Sequence, residues 1–120
     1  MSSIDEIVRR RAEAVAAEGK AVIATDVNGR ILYWNDAAEE LYGWTSAEVL
    51  GLNVVDVTPS LLSQPEAAQV MKVLRSAESW TGSFKVRDKE GRMFAVQVTD
   101  SPILDKYGKL IGIIGLSTRA

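Results

Sequence analysis

The sequence predicts an α+β domain in which one antiparallel sheet carries a single block of short helices on one face. Three observations predict it. The motif D-x-x-G occurs as Asp26-Val-Asn-Gly29, Asp88-Lys-Glu-Gly91 and Asp105-Lys-Tyr-Gly108, each time between two strand candidates. Asp suits the first position of a tight turn and Gly the last, so these short connections impose antiparallel neighbours. Apart from an N-terminal segment, the helical signals lie together between the second and third strands, and one block covers one face. The final strand is apolar on both sides, which places it centrally and under cover.

Taken in order, Ser2 to Glu18 is rich in Ala, Glu and Arg, all strong helix formers. Ser3 and Glu6 form a capping box and Gly19 closes the segment. Ile4, Ile7, Val8, Arg11 and Val15 fall near one face. Two readings fit, a helix packed on its own domain and a dimerising helix of a signalling coiled coil, because the stripe is too short to show a heptad repeat. Ala21 to Asp26 reads as a strand. Asn28-Gly29 suits a type I′ hairpin, and Ile31 to Trp34 returns as the partner. Asp36 with Glu39 predicts a capped helix that stops at Gly43, and Thr45 with Glu48 predicts a second that stops at Gly51.

Leu52 to Val57 reads as an irregular link. Thr58-Pro59 predicts a cap and a first helical residue, followed by one turn to Ser63. Ser63 and Glu66 form a further box, and Ala67, Val70, Met71 and Leu74 keep helical spacing to about Ala77. From Trp80 the period changes to two. Trp80 to Asp88 and Arg92 to Ser101 read as strands, the second ended by Pro102, which cannot donate to a ladder. Lys109 to Thr118 is the last.

The 120 residues suit one domain, and 47% hydrophobic content supplies one core. Fourteen basic against 16 acidic residues leave a formal charge of −2, which argues against a nucleic-acid partner. With no cysteine and no histidine, disulfides, thiolate chemistry, histidine-ligated haem and an imidazole base are excluded. No apolar run reaches the length of a membrane span and no secretory signal is visible, so the expectation is a cytoplasmic module. The remaining nucleophiles and bases make a thin inventory for an enzyme.

The segments AVIATDVNGRILYWNDAAEELYGW, TSAEVLG, WTGSFKVRDKEGR and SPILDKYGKLIGIIGLSTR together resemble the PAS domain family. The resemblance implies a five-stranded antiparallel sheet of order 2-1-5-4-3 over residues 20–120, with helices enclosing a small cavity on one face. Residues 1–19 are similar to the flanking helix that packs on the other face and mediates dimers. It further implies a sensor or docking module of a larger signalling protein, whose output domain lies elsewhere. The cysteine-dependent light-sensing flavin (LOV) branch is excluded by Gly51-Leu52-Asn53-Val54-Val55-Asp56-Val57, which holds no sulfur. A non-covalent flavin or a fatty-acid-like molecule stays open as ligand.

Strand alternation nominates the helix-facing wall. Ile23 and Thr25 share one side of the first strand, and Ile31 and Tyr33 one side of the second. Phe84 and Val86, Val96 and Val98, then Ile113, Gly115 and Ser117 continue it, and Leu41, Met71 and Leu74 close it from the helices. These residues describe either a filled core or a largely apolar pocket with Thr25, Tyr33 and Ser117 to orient a ligand. Trp34 alternates to the face opposite Tyr33, beneath the N-terminal helix or at a dimer contact. Two functional readings follow, a ligand-binding sensor that forms homodimers and a ligand-free docking module.

Overall fold

Three aspartates shape the connections between neighbouring strands. The computed structural model describes residues 3–15, 19–58 and 64–120, without the side chain of Gln64. Asp26 Oδ1 accepts from the backbone N–H of Asn28 and Arg30, both at 2.9 Å, and Gly29 N–H donates to the Asp26 carbonyl at 3.1 Å. Asp105 repeats this with Tyr107, Lys109 and Gly108, and Asp88 with Arg92 and Gly91. The first turn is not type I′, since Gly29 has φ 89° while Asn28 stays outside the left-handed region. A three-residue loop ending in a left-handed Gly is the alternative hairpin solution. Gly29 also admits Asn53, whose Oδ1 lies 3.1 Å from where a Cβ would stand.

The elements are α1 (Ile4–Ala14), β1 (Ala21–Thr25), β2 (Ile31–Trp34), α2 (Asp36–Tyr42), α3 (Ser46–Val49), α4 (Val54–Val57), α5 (Gln64–Arg75), β3 (Trp80–Arg87), β4 (Met93–Leu104) and β5 (Leu110–Arg119). The sheet order is β2-β1-β5-β4-β3, with every neighbour antiparallel. The expected turn from Pro59 to Ser63 lies outside the described residues, and so does the Ser63–Glu66 box.

Caps decide where the helices begin. Ser3 Oγ accepts from Glu6 N–H, and both arms of the Thr45–Glu48 box are made. At α2 the cap is Asn35 and not Asp36: its Oδ1 accepts from Ala38 N–H at 2.9 Å, and Asp36 becomes the first helical residue. The link expected after Gly51 contains the one-turn helix α4, capped by Asn53 through Val55 N–H. It forms because this segment docks on the first hairpin, with Val54 N–H donating to the Gly29 carbonyl at 2.8 Å. β4 runs through Pro102 to Leu104. Its pairing with β3 ends at Trp80–Asp100, so past that point the strand has a free edge, where a missing donor is tolerated.

A bulge in β2 reverses two assignments. Ala24 pairs with Tyr33 and Thr25 with Ile31, so Leu32 is an extra residue. Ile31 and Trp34 therefore both face the helix block, while Leu32 and Tyr33 face α1. Tyr33 is thus not a pocket residue, and Trp34 does not lie beneath the N-terminal helix. Trp34 instead donates from Nε1 to the Trp44 carbonyl at 2.9 Å.

Both faces of the sheet carry helices, although on the α1 side Thr81, Ser83 and Lys85 of β3 and Gln97 of β4 stay exposed. On one, Ala38, Tyr42, Val49 and Val57 of the helix block meet Ile23, Val86 and Val98 of the strands. On the other, α1 lays Val8 and Ala12, each 0% exposed, over Val22, Ala24, Leu32 and Ile114. The docked stripe is rotated from the expected one. Ile7 is partly buried against it, but Arg11 is exposed, and Ile4 and Val15 are 53% and 42% exposed. The helix sits close over Gly112, where an added Cβ would stand 2.5 Å from Val8 Cγ2.

Candidate functional site

The helix-facing side of the sheet is filled at one end and hollow at the other. Where α2 and α3 lie on β1 and β2, the rings of Trp34 and Tyr42 stand 5.6 Å apart and those of Tyr42 and Phe94 6.0 Å, closing the space. Under α4 and α5 the two layers separate around a cavity of about 690 Å³. That volume lies in the range of small-molecule sites. It reaches solvent past Val27, Val55 and Arg75, which are exposed.

Most of the wall nominated from the strands is in place. Ile23, Thr25, Phe84, Val86, Val98, Ile113 and Ser117 line the cavity from the sheet, and Met71 from α5. Ile31, Val96 and Leu74 do not line it: at 1%, 0% and 1% exposure they belong to solid core. Leu41 packs against the same core from α2, outside the cavity. Tyr33 is on the far face, for the reason given above. The aromatic cluster accounts for these differences, because it fills the half of the face where Ile31, Val96 and Leu41 sit.

Gly115, nominated with Ile113 and Ser117, lines the cavity, whereas the sequence reading missed Tyr42, Val54, Val70 and Asp100 as lining residues. Asp100 was legible, since it continues the two-residue alternation of Val96–Val98. Val54 and Tyr42 were not, because their positions depend on how the helices land.

Asp100 dominates the site's electrostatics. Burial pushes its carboxyl from 3.8 up to about 6. Burial also raises the Tyr42 phenol, a hydrogen bond with Ser117 offsets part of that rise, and the Asp100 charge adds to it. The unfolded chain releases the Asp100 proton near 3.8, whereas the folded protein holds it to about 6. The folded state binds the extra proton, so this contribution to stability is full below the lower value and is lost as pH rises through the upper one. The parent is therefore expected to lose about 2 kcal/mol relative to Asp100→Asn between about pH 4 and 7. Paired urea titrations across that range check it. A pH-independent difference between the two proteins would refute the assignment.

A 2-1-5-4-3 sheet, with short helices over a cavity on one side and a flanking helix on the other, defines a small α+β module of the sensory and signalling class. The PAS fold family matches residues 9–118, and the chain belongs to that family. The PAS domain of a protein from Colwellia psychrerythraea has the same fold, with a TM-score of 0.72 at 24% identity, covering 95% of this chain and 97% of that one. An RNA-binding light-oxygen-voltage receptor is similar at TM-score 0.77 and 22% identity, over 92% of this chain and 32% of the receptor. In sequence, a probable serine/threonine-protein kinase of Dictyostelium discoideum is 31% identical over 103 residues, which are 82% of this chain and 6% of the kinase. The chain thus spans a small part of that relative. Among the described residues no helix is long and apolar enough to cross a membrane.

Proposed function

We propose that this chain is the sensory PAS domain of a larger cytoplasmic signalling protein, that a small, largely apolar molecule occupies its cavity, and that it works as a homodimer. The observation that carries the reading is the cavity of about 690 Å³ walled by Ile23, Phe84, Val98 and Met71. The kinase relative supports the setting in a signalling protein. With no cysteine in the chain, a cysteinyl flavin adduct has no sulfur to form on. Ile4 of α1 and Val15 just past its end remain exposed and offer apolar contact to a second copy. Signalling requires that the ligand favour one arrangement of sheet and flanking helix over another. β5 and α1 are the carriers we propose, because they adjoin whatever precedes and follows the domain.

Native mass spectrometry of the purified protein tests this. A small molecule released on denaturation, together with a dimer mass, supports the reading. A protein that holds nothing, and whose dimerisation ignores small molecules, is the ligand-free docking module. A pair of substitutions sharpens the test. Val98→Phe projects into the cavity and is expected to abolish ligand retention at a cost below about 1 kcal/mol. Val96→Phe enters filled core and should cost about 1–3 kcal/mol. Equal costs for the two would mean that the cavity is not open space.

A further inference from the structure

The cavity is lined by a carboxylate that accepts no hydrogen bond from the described residues. Asp100 stands directly opposite Gly115 in the β4–β5 register. Its Oδ1 lies 2.9 Å from where a Cβ on Gly115 would be, so the glycine leaves the room that the carboxylate occupies. Both residues line the cavity, yet among the described residues no hydrogen-bond donor or cation contacts the Asp100 side chain. The lining is largely apolar, and its uncharged polar groups are the hydroxyls of Thr25, Tyr42, Thr58 and Ser117 and the amides of Asn28 and Asn53. The other charged lining residue is Arg75, which is exposed on α5 at the rim. A buried ionised group without a partner is costly, and a bound ligand can supply the partner.

We infer that the cavity selects a molecule with an apolar body and a protonated amine at one end, the ammonium seated on Asp100. This rests on the ligand-binding reading above and narrows it. An ammonium brings three donors. One makes a charge-assisted bond to the carboxylate, and the hydroxyl oxygens of Tyr42 and Ser117 are acceptors for the others. A fatty-acid-like ligand fits less well in either direction. Head first, its carboxylate meets a like charge. Tail first, its carboxylate reaches Arg75 but its chain seals Asp100 into hydrocarbon.

Calorimetric titration of the whole chain with octylamine, octanol and octanoate tests the inference. Near pH 7.5 octylamine is expected to bind at least about tenfold tighter than octanol, with octanoate weakest. In Asp100→Asn the amine and the alcohol should come within about twofold of each other. On the unmodified chain, amine affinity should fall roughly tenfold per pH unit below about 6, where Asp100 takes up its proton, while octanol affinity stays level. That series reads the same contact should the variant not fold. Octanol or octanoate binding as tightly as octylamine, or a flat pH series for the amine, overturns the inference and leaves the ligand-binding cavity standing. If none of the three binds, both readings fall.

Discussion

Replacing Gly112 with valine is expected to lift α1 off the sheet and destabilise the protein by about 3 kcal/mol. A Cβ at this position would stand 2.5 Å from Val8 Cγ2 and 3.0 Å from the Thr25 carbonyl oxygen. The carbonyl belongs to a paired strand and cannot retreat, so the helix must. Beside the apolar contacts of Val8 and Ala12, the polar ties of α1 are weak. Arg9 Nε donates to the Leu32 carbonyl at 3.3 Å, and Arg30 bridges Asp5 at 2.6 Å on the surface. An exposed pair of this kind contributes under about 1 kcal/mol. Lifting the helix would uncover Val22, Ala24, Leu32 and Ile114 together. Urea titration gives the cost, and hydrogen exchange should show α1 amides losing protection while β3 and β4 keep theirs. Shortening Val8 to Ala in the same protein makes room and should restore part of the loss. A Gly112→Val protein within about 0.5 kcal/mol of the parent, with α1 still protected, would show that the close approach is not what seats this helix.

Asn35→Ala should cost nearly as much, about 3 kcal/mol. One side chain joins three segments there. Its Oδ1 accepts from Ala38 N–H and from Val22 N–H, both at 2.9 Å, and its Nδ2 donates to the Lys20 carbonyl at 3.0 Å. Losing a helix cap costs about 0.5–2 kcal/mol. The Val22 N–H belongs to a residue with 0% exposure, and stranding a buried donor adds about 1–3 kcal/mol. Asn35→Asp keeps both accepted bonds and should lie within about 1 kcal/mol of the parent. Thermal melts of the two variants test the account. An alanine variant as stable as the aspartate one would mean that water replaces the side chain at no cost.

The turn positions, the five strands and the Thr45–Glu48 box were legible because each is decided within about five residues. An Asp side chain reaches its own turn amides, and a Thr reaches the amide three residues on. The cap of α2 shows where that reasoning stops. Asn35 and Asp36 are both good caps by type, and the choice falls on Asn35 because β1 presents a second donor to it. Trp34 and Tyr33 were exchanged for a similar reason. Alternation is a sound rule for a regular strand, but the extra Leu32 in β2 is visible only against the partner strand.

What the sequence determined by itself is the order of strands, turns and caps, and with it an antiparallel sheet bearing one helical block. That information is local, carried by side chains that bond to their own neighbouring backbone. Tertiary structure alone decided that the helix-facing side is solid beneath α2 and open beneath α5. It also decided that α1 turns Ala12 rather than Arg11 to the sheet, and that Asp100 lines the cavity with no donor against it among the described residues. These outcomes depend on where rigid elements come to rest against one another, and that is settled by packing between residues far apart in the chain.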